Sequence, residues 1–139
     1  MMTNDRPRRQ LRVLVIEDNQ ATADSLRLLL DLGGHEVRVA YDGLAGLRAA
    51  WEWAPDVVLC DVGLPRLDGY GVAVALRKHP ATAGARLIAI TAYGSDEART
   101  RSREAGFERH FVKPVDPEEL VALLRVLARE KAEAPCWGL

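Results

Sequence analysis

Five side chains in this sequence are of the kinds that could act together on a phosphoryl group. They are the acidic pair Glu17-Asp18, the lone carboxylate Asp61, the hydroxyl of Thr91 and the ammonium of Lys113. Three carboxylates gathered in one pocket would repel each other and raise each other's pKa values. A hard divalent cation relieves that repulsion, and magnesium favours oxygen ligands while keeping several waters. Phosphoryl transfer then needs an in-line nucleophile and neutralisation of the equatorial oxygens. A carboxylate such as Asp61 can be the nucleophile, giving an aspartyl phosphate. Magnesium could take one phosphoryl oxygen and Lys113 a second. The Thr91 hydroxyl with neighbouring backbone N–H groups could take the third.

These residues can cooperate only if the fold brings them together. Short β-rich runs alternate with helical patterns five times along the chain. The run Val13-Leu14-Val15-Ile16 is continuously apolar, as a strand buried on both faces must be. Leu26, Leu28, Leu29, Leu30 and Leu32 follow at helical spacing and read as core, and Gly33-Gly34 supplies a stop. Residues Val37 to Ala40 read as the second strand. A helix with Leu44, Leu47, Ala50 and Trp51 follows, closed by Ala54-Pro55. Asp56 to Asp61 is the third strand, after which Leu64-Pro65 opens a loop before a helix with Val72, Val74 and Leu76. Leu87 to Thr91 is the fourth strand, and Phe107 to Val112 contains the fifth. Pro117 suits the first turn of a last helix that turns Leu120, Val121, Leu123, Leu124 and Leu127 inward.

Strand–helix alternation with apolar strands predicts an α/β fold, a doubly wound five-stranded parallel sheet with helices on both faces. Five units suit the flavodoxin-like order 2-1-3-4-5. Ligands in such sheets collect at the carboxyl ends of the strands. Glu17-Asp18, Asp61, Thr91 and Lys113 all stand at strand ends, so one edge of the sheet would hold them all. Each alone has an ordinary explanation: a loop surface, a turn cap, a strand residue, a surface lysine. Their joint placement is what argues for chemistry.

Those motifs make the chain resemble the receiver domains of response regulators in two-component signalling. The resemblance rests on Val-Leu-Val-Ile-Glu-Asp-Asn at 13–19, Val-Val-Leu-Cys-Asp-Val-Gly-Leu-Pro-Arg-Leu-Asp-Gly at 57–69, Ile-Ala-Ile-Thr-Ala at 88–92 and Val-Lys-Pro at 112–114. It implies a phosphoacceptor role for Asp61, with the phosphate coming from a phosphohistidine on a histidine kinase or a histidine phosphotransferase. It implies Mg2+, with Mn2+ as a substitute, held by Asp18 and Asp61 directly, by Glu17 through water, and by the carbonyl of Gly63. Thr91 would be the switch hydroxyl and Lys113 the phosphate-pairing lysine, with Lys113-Pro114 cis; cis costs little before proline. The expected activity is self-phosphorylation with slow autodephosphorylation, not turnover of outside substrates, and it would switch a surface that binds an unknown downstream protein. Members of the family commonly carry tyrosine or phenylalanine three residues before the lysine, where this chain has His110.

Other functions on the same fold fit less well. A flavin or nucleotide carrier needs a Gly- or Ser/Thr-rich phosphate loop after the first strand, and Glu17-Asp18-Asn19 would repel phosphate without metal. Aspartate-nucleophile phosphatases place a general-acid aspartate two residues after the nucleophile, where this chain has Gly63. A module that is never phosphorylated would not need the complete acid, threonine and lysine set.

The chain of 139 residues is the size of one domain, with 48% hydrophobic and 6% aromatic residues, so the core should be aliphatic. A formal net charge of −1 gives no general nucleic-acid surface. The arginine run Arg6, Arg8, Arg9 and Arg12 reads as a solvated, poorly ordered leader rather than a binding arm, with residues 1–10 as the flexible leader, 11–131 as the receiver domain and 132–139 as a tail. Cys60 and Cys136 form no metal-ligand spacing, and Cys60 reads as a buried thiol. No segment approaches the ~20 apolar residues of a membrane span, and no signal peptide is apparent, so the expected location is cytoplasmic. The stretch Ser95 to Ala105 is mostly charged, with only Ala98 and Ala105 apolar, so it should be a helix that buries little. Trp51 and Trp53, two apart on a helix, cannot both face the sheet.

Overall fold

The computed structural model describes residues 10–133. The expected leader (except Gln10), the end of the expected tail and Cys136 lie outside them. Strands β1 (Arg12–Ile16), β2 (Glu36–Ala40), β3 (Val57–Asp61), β4 (Arg86–Thr91) and β5 (Arg109–Val112) alternate with five helices. The helices are α1 (Gln20–Leu32), α2 (Gly43–Trp53), α3 (Gly69–Lys78), α4 (Asp96–Ala105) and α5 (Pro117–Glu133). All strand pairs are parallel, in the order β2-β1-β3-β4-β5, which is the doubly wound arrangement that the alternation predicts.

Side chains alternate across a strand, and the core divides accordingly. Val13, Val15, Val57, Leu59, Ile88 and Ile90 pack with Leu26 and Leu30 of α1 and Leu120, Leu123, Leu124 and Leu127 of α5. Leu14, Ile16, Val58, Cys60, Leu87 and Ala89 pack on the other face with Leu47, Ala50 and Trp53 of α2 and Val72, Ala73 and Leu76 of α3. Gly46 lets α2 approach closely, since a Cβ there would run into the Ile16 side chain. The Cys60 thiol is fully buried, and burial pushes its pKa far above the usual thiol range.

Helix ends follow local chemistry. Asn19, Asp42, Asp68 and Ser95 cap α1, α2, α3 and α4, each side chain accepting a backbone N–H three residues on. Ala54 closes α2 in a left-handed conformation just before Pro55.

Several apolar residues expected inside lie outside. Leu28 and Leu32 of α1, Leu44 of α2 and Val74 of α3 are exposed. A helix set against one face of a sheet buries only the stripe that touches it, and these residues fall on the far side of that stripe. Val121 is half-buried at the edge of its stripe. Asp56 precedes β3 instead of opening it, and Arg12 opens β1 instead of belonging to a poorly ordered leader: the Asp56 carboxylate accepts from the Arg12 N–H at 2.8 Å and from Lys131 of α5 at 2.9 Å, and the Arg12 guanidinium donates to the Trp53 carbonyl at 3.0 Å. Trp53 is buried, with the guanidinium groups of Arg12 and Arg38 over its ring at 5.8 and 4.5 Å, whereas Trp51 is exposed and stacks on His79.

At the turn from α1 into β2, the Leu11 N–H donates to His35 Nδ1 at 3.2 Å. That bond needs a neutral ring, and burial lowers the His35 pKa below its usual 6.5. Below about pH 6.5 the unfolded chain therefore binds a proton that the folded chain resists, and His35 lowers stability as the pH falls. Glu17, whose pKa is raised in the fold, acts in the opposite sense. The comparison that isolates His35 is therefore with His35→Asn, which keeps an acceptor but cannot titrate. Between about pH 7.5 and pH 5.5 the parent is expected to lose more thermal stability than His35→Asn. Parallel melting curves for the two proteins would refute this.

Candidate functional site

The strand registers bring the expected residues to one edge. Ile16 pairs with Cys60, so Glu17 and Asp61 leave adjacent strands at the same level. Asp61 pairs with Ile90, and Thr91 with Val112, which places Thr91 and Lys113 one step further along the neighbouring strands. β1, β3 and β4 are buried almost throughout, and Glu17, Asp61 and Thr91 stand where that burial ends, at this edge.

Asp61 is 7% exposed. Its Oδ1 accepts the Gly63 N–H at 2.8 Å, and its Oδ2 accepts from Lys113 Nζ at 3.1 Å. The same ammonium lies 2.7 Å from Glu17 Oε1, and Glu17 Oε2 accepts the Asn19 N–H at 3.0 Å. Burial pushes the Glu17 carboxyl above the ordinary range, Asp61 adds to the rise, and the bonds from Lys113 and Asn19 oppose it. Burial pulls the Lys113 ammonium down, but its hydrogen bonds to Glu17 and Asp61 more than offset this and hold it above its usual value. Asp18 is exposed at the rim. The carboxylates of Glu17, Asp18 and Asp61 each offer an oxygen, all within 4.8 Å of one another. Three carboxylates against one ammonium leave a negative excess, and an all-oxygen donor set suits a hard divalent cation.

Thr91 is 1% exposed, and its Oγ1 accepts the Tyr93 N–H at 3.0 Å. The Lys113–Pro114 peptide is cis, as the resemblance implied. Gly63 and Tyr93 line one cleft of about 420 Å³ together with Asp68, Tyr70, Ser95 and Arg101. Chemically, the arrangement presents a nearly buried carboxylate, a cation beside it and a hydroxyl on the adjacent strand.

Some contributors were not singled out in the sequence. Asn19 caps α1 with its side chain while its N–H holds Glu17, and Asp68-Gly69 starts α3 against the end of β3. The Asp-Gly step before a helical pattern was a signal for the latter. His110 is half-buried, with Nε2 2.9 Å from the Tyr93 carbonyl and Nδ1 2.9 Å from Ser102 Oγ. Ser102 is the buried residue of α4, which otherwise contributes little to the core, as its composition suggests.

A family model described as the response regulator receiver domain matches residues 13–125. The DNA-binding dual master transcriptional regulator RpaA of Synechocystis sp. is 32% identical over 124 residues, covering 89% of this chain and 52% of that protein. The chain spans about half the length of most curated relatives it matches. A crystal structure of a putative response regulator from Chloroflexus aurantiacus superposes with a TM-score of 0.81 at 33% identity, covering 86% of this chain and 98% of that one. The receiver domain of sensor histidine kinase PA1611 from Pseudomonas aeruginosa, solved with magnesium in its active-site cleft, gives a TM-score of 0.79 at 28% identity, covering 86% and 98%.

Proposed function

This chain belongs to the response regulator receiver family, and from that premise we propose that Asp61 accepts a phosphoryl group from a phosphohistidine. The observation that carries the reading is a nearly buried carboxylate paired at 3.1 Å with Lys113 and flanked by two more carboxylates. The donor is the phosphohistidine of a histidine kinase or histidine phosphotransferase. A bond forms between an Asp61 carboxylate oxygen and phosphorus as the phosphorus–nitrogen bond of the donor breaks, and the imidazole leaves with the electron pair.

Asp18 and Asp61 would hold Mg2+ directly, Glu17 through water, and the Gly63 carbonyl as a further ligand; Mn2+ can replace it. When bound, the ion supplies positive charge to the phosphoryl oxygens. The rest falls to the chain's own groups. Lys113 offers a point charge suited to a phosphoryl oxygen, and the Thr91 hydroxyl turns to donate to another. Magnesium in the cleft of the Pseudomonas domain supports the ion's identity.

Among the described residues no helix is long and apolar enough to cross a membrane, and we assign the domain to the cytoplasm. DNA binding is named for the Synechocystis protein, of which this chain spans 52%. With a net charge of −1, the domain has little to gain from counterion release, so its own partners are assigned as the phosphodonor and a downstream protein.

Incubation with acetyl phosphate and magnesium should add one phosphate by intact mass, and none in Asp61→Asn or after chelation. Labelling that persists in Asp61→Asn would place the acceptor elsewhere and refute the reading.

The lifetime of the phosphate depends on access of water. Gly63 offers no side chain to orient a hydrolytic water. Tyr93, although 67% exposed, stands on the same cleft. Slow intrinsic decay is expected, and Tyr93→Ala should lose phosphate several-fold faster than the parent. Equal decay in the two proteins would show that Tyr93 does not shield the site.

A further inference from the structure

The cleft beside the phosphoacceptor reaches from Gly63 to α4. It holds about 420 Å³, the size of a small-molecule site. At Gly63 it lies against Asp61, whose Oδ1 accepts the Gly63 N–H at 2.8 Å. The space there is open: a Cβ added at Gly63 would meet only Asp61 Oδ1, at 3.5 Å. Glu97 and Arg101 of α4 line the same cleft, as do Tyr70 and Tyr93. The Arg101 guanidinium lies over the Tyr70 ring, 4.3 Å from its centre. It makes no hydrogen bond or ion pair with any described residue, not even with Glu97 one turn before it.

We propose that Arg101 is a specificity-determining residue for small phosphodonors: it receives the anionic leaving group of an acyl phosphate, such as the acetate of acetyl phosphate. The inference rests on the phosphoacceptor reading of Asp61. In that reaction an Asp61 carboxylate oxygen bonds to phosphorus as the bond between phosphorus and the acyl oxygen breaks. The acyl carboxylate leaves with the electron pair and needs no proton. In-line displacement puts the leaving group on the side of phosphorus away from Asp61, and the open space over Gly63 gives it the cleft. The negative charge that grows on the departing carboxylate then meets a guanidinium, whose fork matches both oxygens.

The way Arg101 is held suits this role. The Tyr70 ring attracts the guanidinium through its face, which leaves all five N–H donors for an incoming anion. Glu97 acts in the opposite sense, because a carboxylate lining the same cleft repels the leaving group. Asp68 also lines the cleft but is committed to α3, where its side chain accepts the Gly71 N–H at 2.9 Å. A donor with a neutral leaving group gains nothing from Arg101. Phosphoramidate is such a donor: its nitrogen is already protonated, the phosphorus–nitrogen bond breaks, and ammonia departs with the electron pair.

The test measures initial rates of phosphate uptake by intact mass on the full chain with magnesium, from acetyl phosphate and from phosphoramidate. Both donors use Asp61 and Lys113 alike, so the ratio of the two rates cancels general damage to the site. Arg101→Gln should lower the preference for acetyl phosphate by at least about three-fold, and Glu97→Gln should raise it. Tyr70→Leu, which removes the ring under the guanidinium, should lower it too, while Tyr70→Phe keeps it near the parent. Arg103→Gln is the control, since it removes the same charge from a residue of α4 that lines a different groove; it should leave the ratio unchanged. A ratio unmoved in Arg101→Gln, or lowered as much in Arg103→Gln, overturns the role of Arg101 and leaves the phosphoacceptor reading standing. If the parent takes phosphate from neither donor, the phosphoacceptor reading itself fails, and this inference with it.

Discussion

Replacing Lys113 with methionine is expected to slow phosphorylation of Asp61 by about 100-fold or more while tightening magnesium binding. The two effects have opposite signs because one ammonium serves two opposing ends. In the free protein Lys113 Nζ sits 2.7 Å from Glu17 Oε1 and 3.1 Å from Asp61 Oδ2, neutralising part of a three-carboxylate cluster. Removing it takes the cluster from two negative charges in excess to three, counting each carboxylate as ionised, and a divalent cation gains from that. The phosphoryl group loses a donor at one of its oxygens, and removing a donor from a developing anion commonly costs about 100- to 1,000-fold. Glu17 also loses the hydrogen bond that opposes its burial. The variant should therefore be less stable without magnesium and recover when it is added. Calorimetric titration with magnesium, beside the rate of phosphate uptake by intact mass, separates the two effects. An unchanged rate, or weaker magnesium binding, would remove Lys113 from the role assigned to it.

Gly69→Ala is expected to destabilise the fold by about 2–3 kcal/mol, because overpacking against atoms that cannot give way costs that much. A Cβ at Gly69 would stand 2.5 Å from both the Asp61 carbonyl oxygen and the Val62 Cα, and 3.0 Å from the Asp61 carbonyl carbon. All three are backbone atoms at the end of the central strand. The Gly69 N–H also donates to the Val62 carbonyl at 3.2 Å, so α3 cannot withdraw without breaking its own tie. The melting temperature should fall by roughly 6 to 15 °C, and phosphate uptake should slow because the backbone carrying Asp61 must shift. Gly84→Ala is the control: a Cβ there meets nothing within 4 Å, so its effect should stay within about 0.5 kcal/mol. Equal melting temperatures for the two variants would show that the contact at Gly69 does not constrain the strand end.

The sequence by itself determined the sheet, its order and the residues at its chemical edge. Strands buried on both faces must be continuously apolar, so the runs before Glu17 and Thr91, and the one that ends in Asp61, announce both their burial and the point where it stops. Once the runs are parallel, their carboxyl ends must share an edge. The meeting of Glu17, Asp18, Asp61, Thr91 and Lys113 therefore follows from local patterns added together. Helical spacing says which residues share a face, but not how much of that face a neighbour covers. Leu28, Leu32, Leu44 and Val74 were for that reason legible as helical and not as exposed. Pairings between polar groups on separate elements carry no periodic signal at all. Lys131 reaching Asp56, Lys113 dividing itself between Glu17 and Asp61, and His110 bridging Tyr93 and Ser102 each depend on where two backbones settle to within about an ångström. Only the packed tertiary structure decides that, because a hydrogen bond is made or lost over a distance far smaller than the width of a helix.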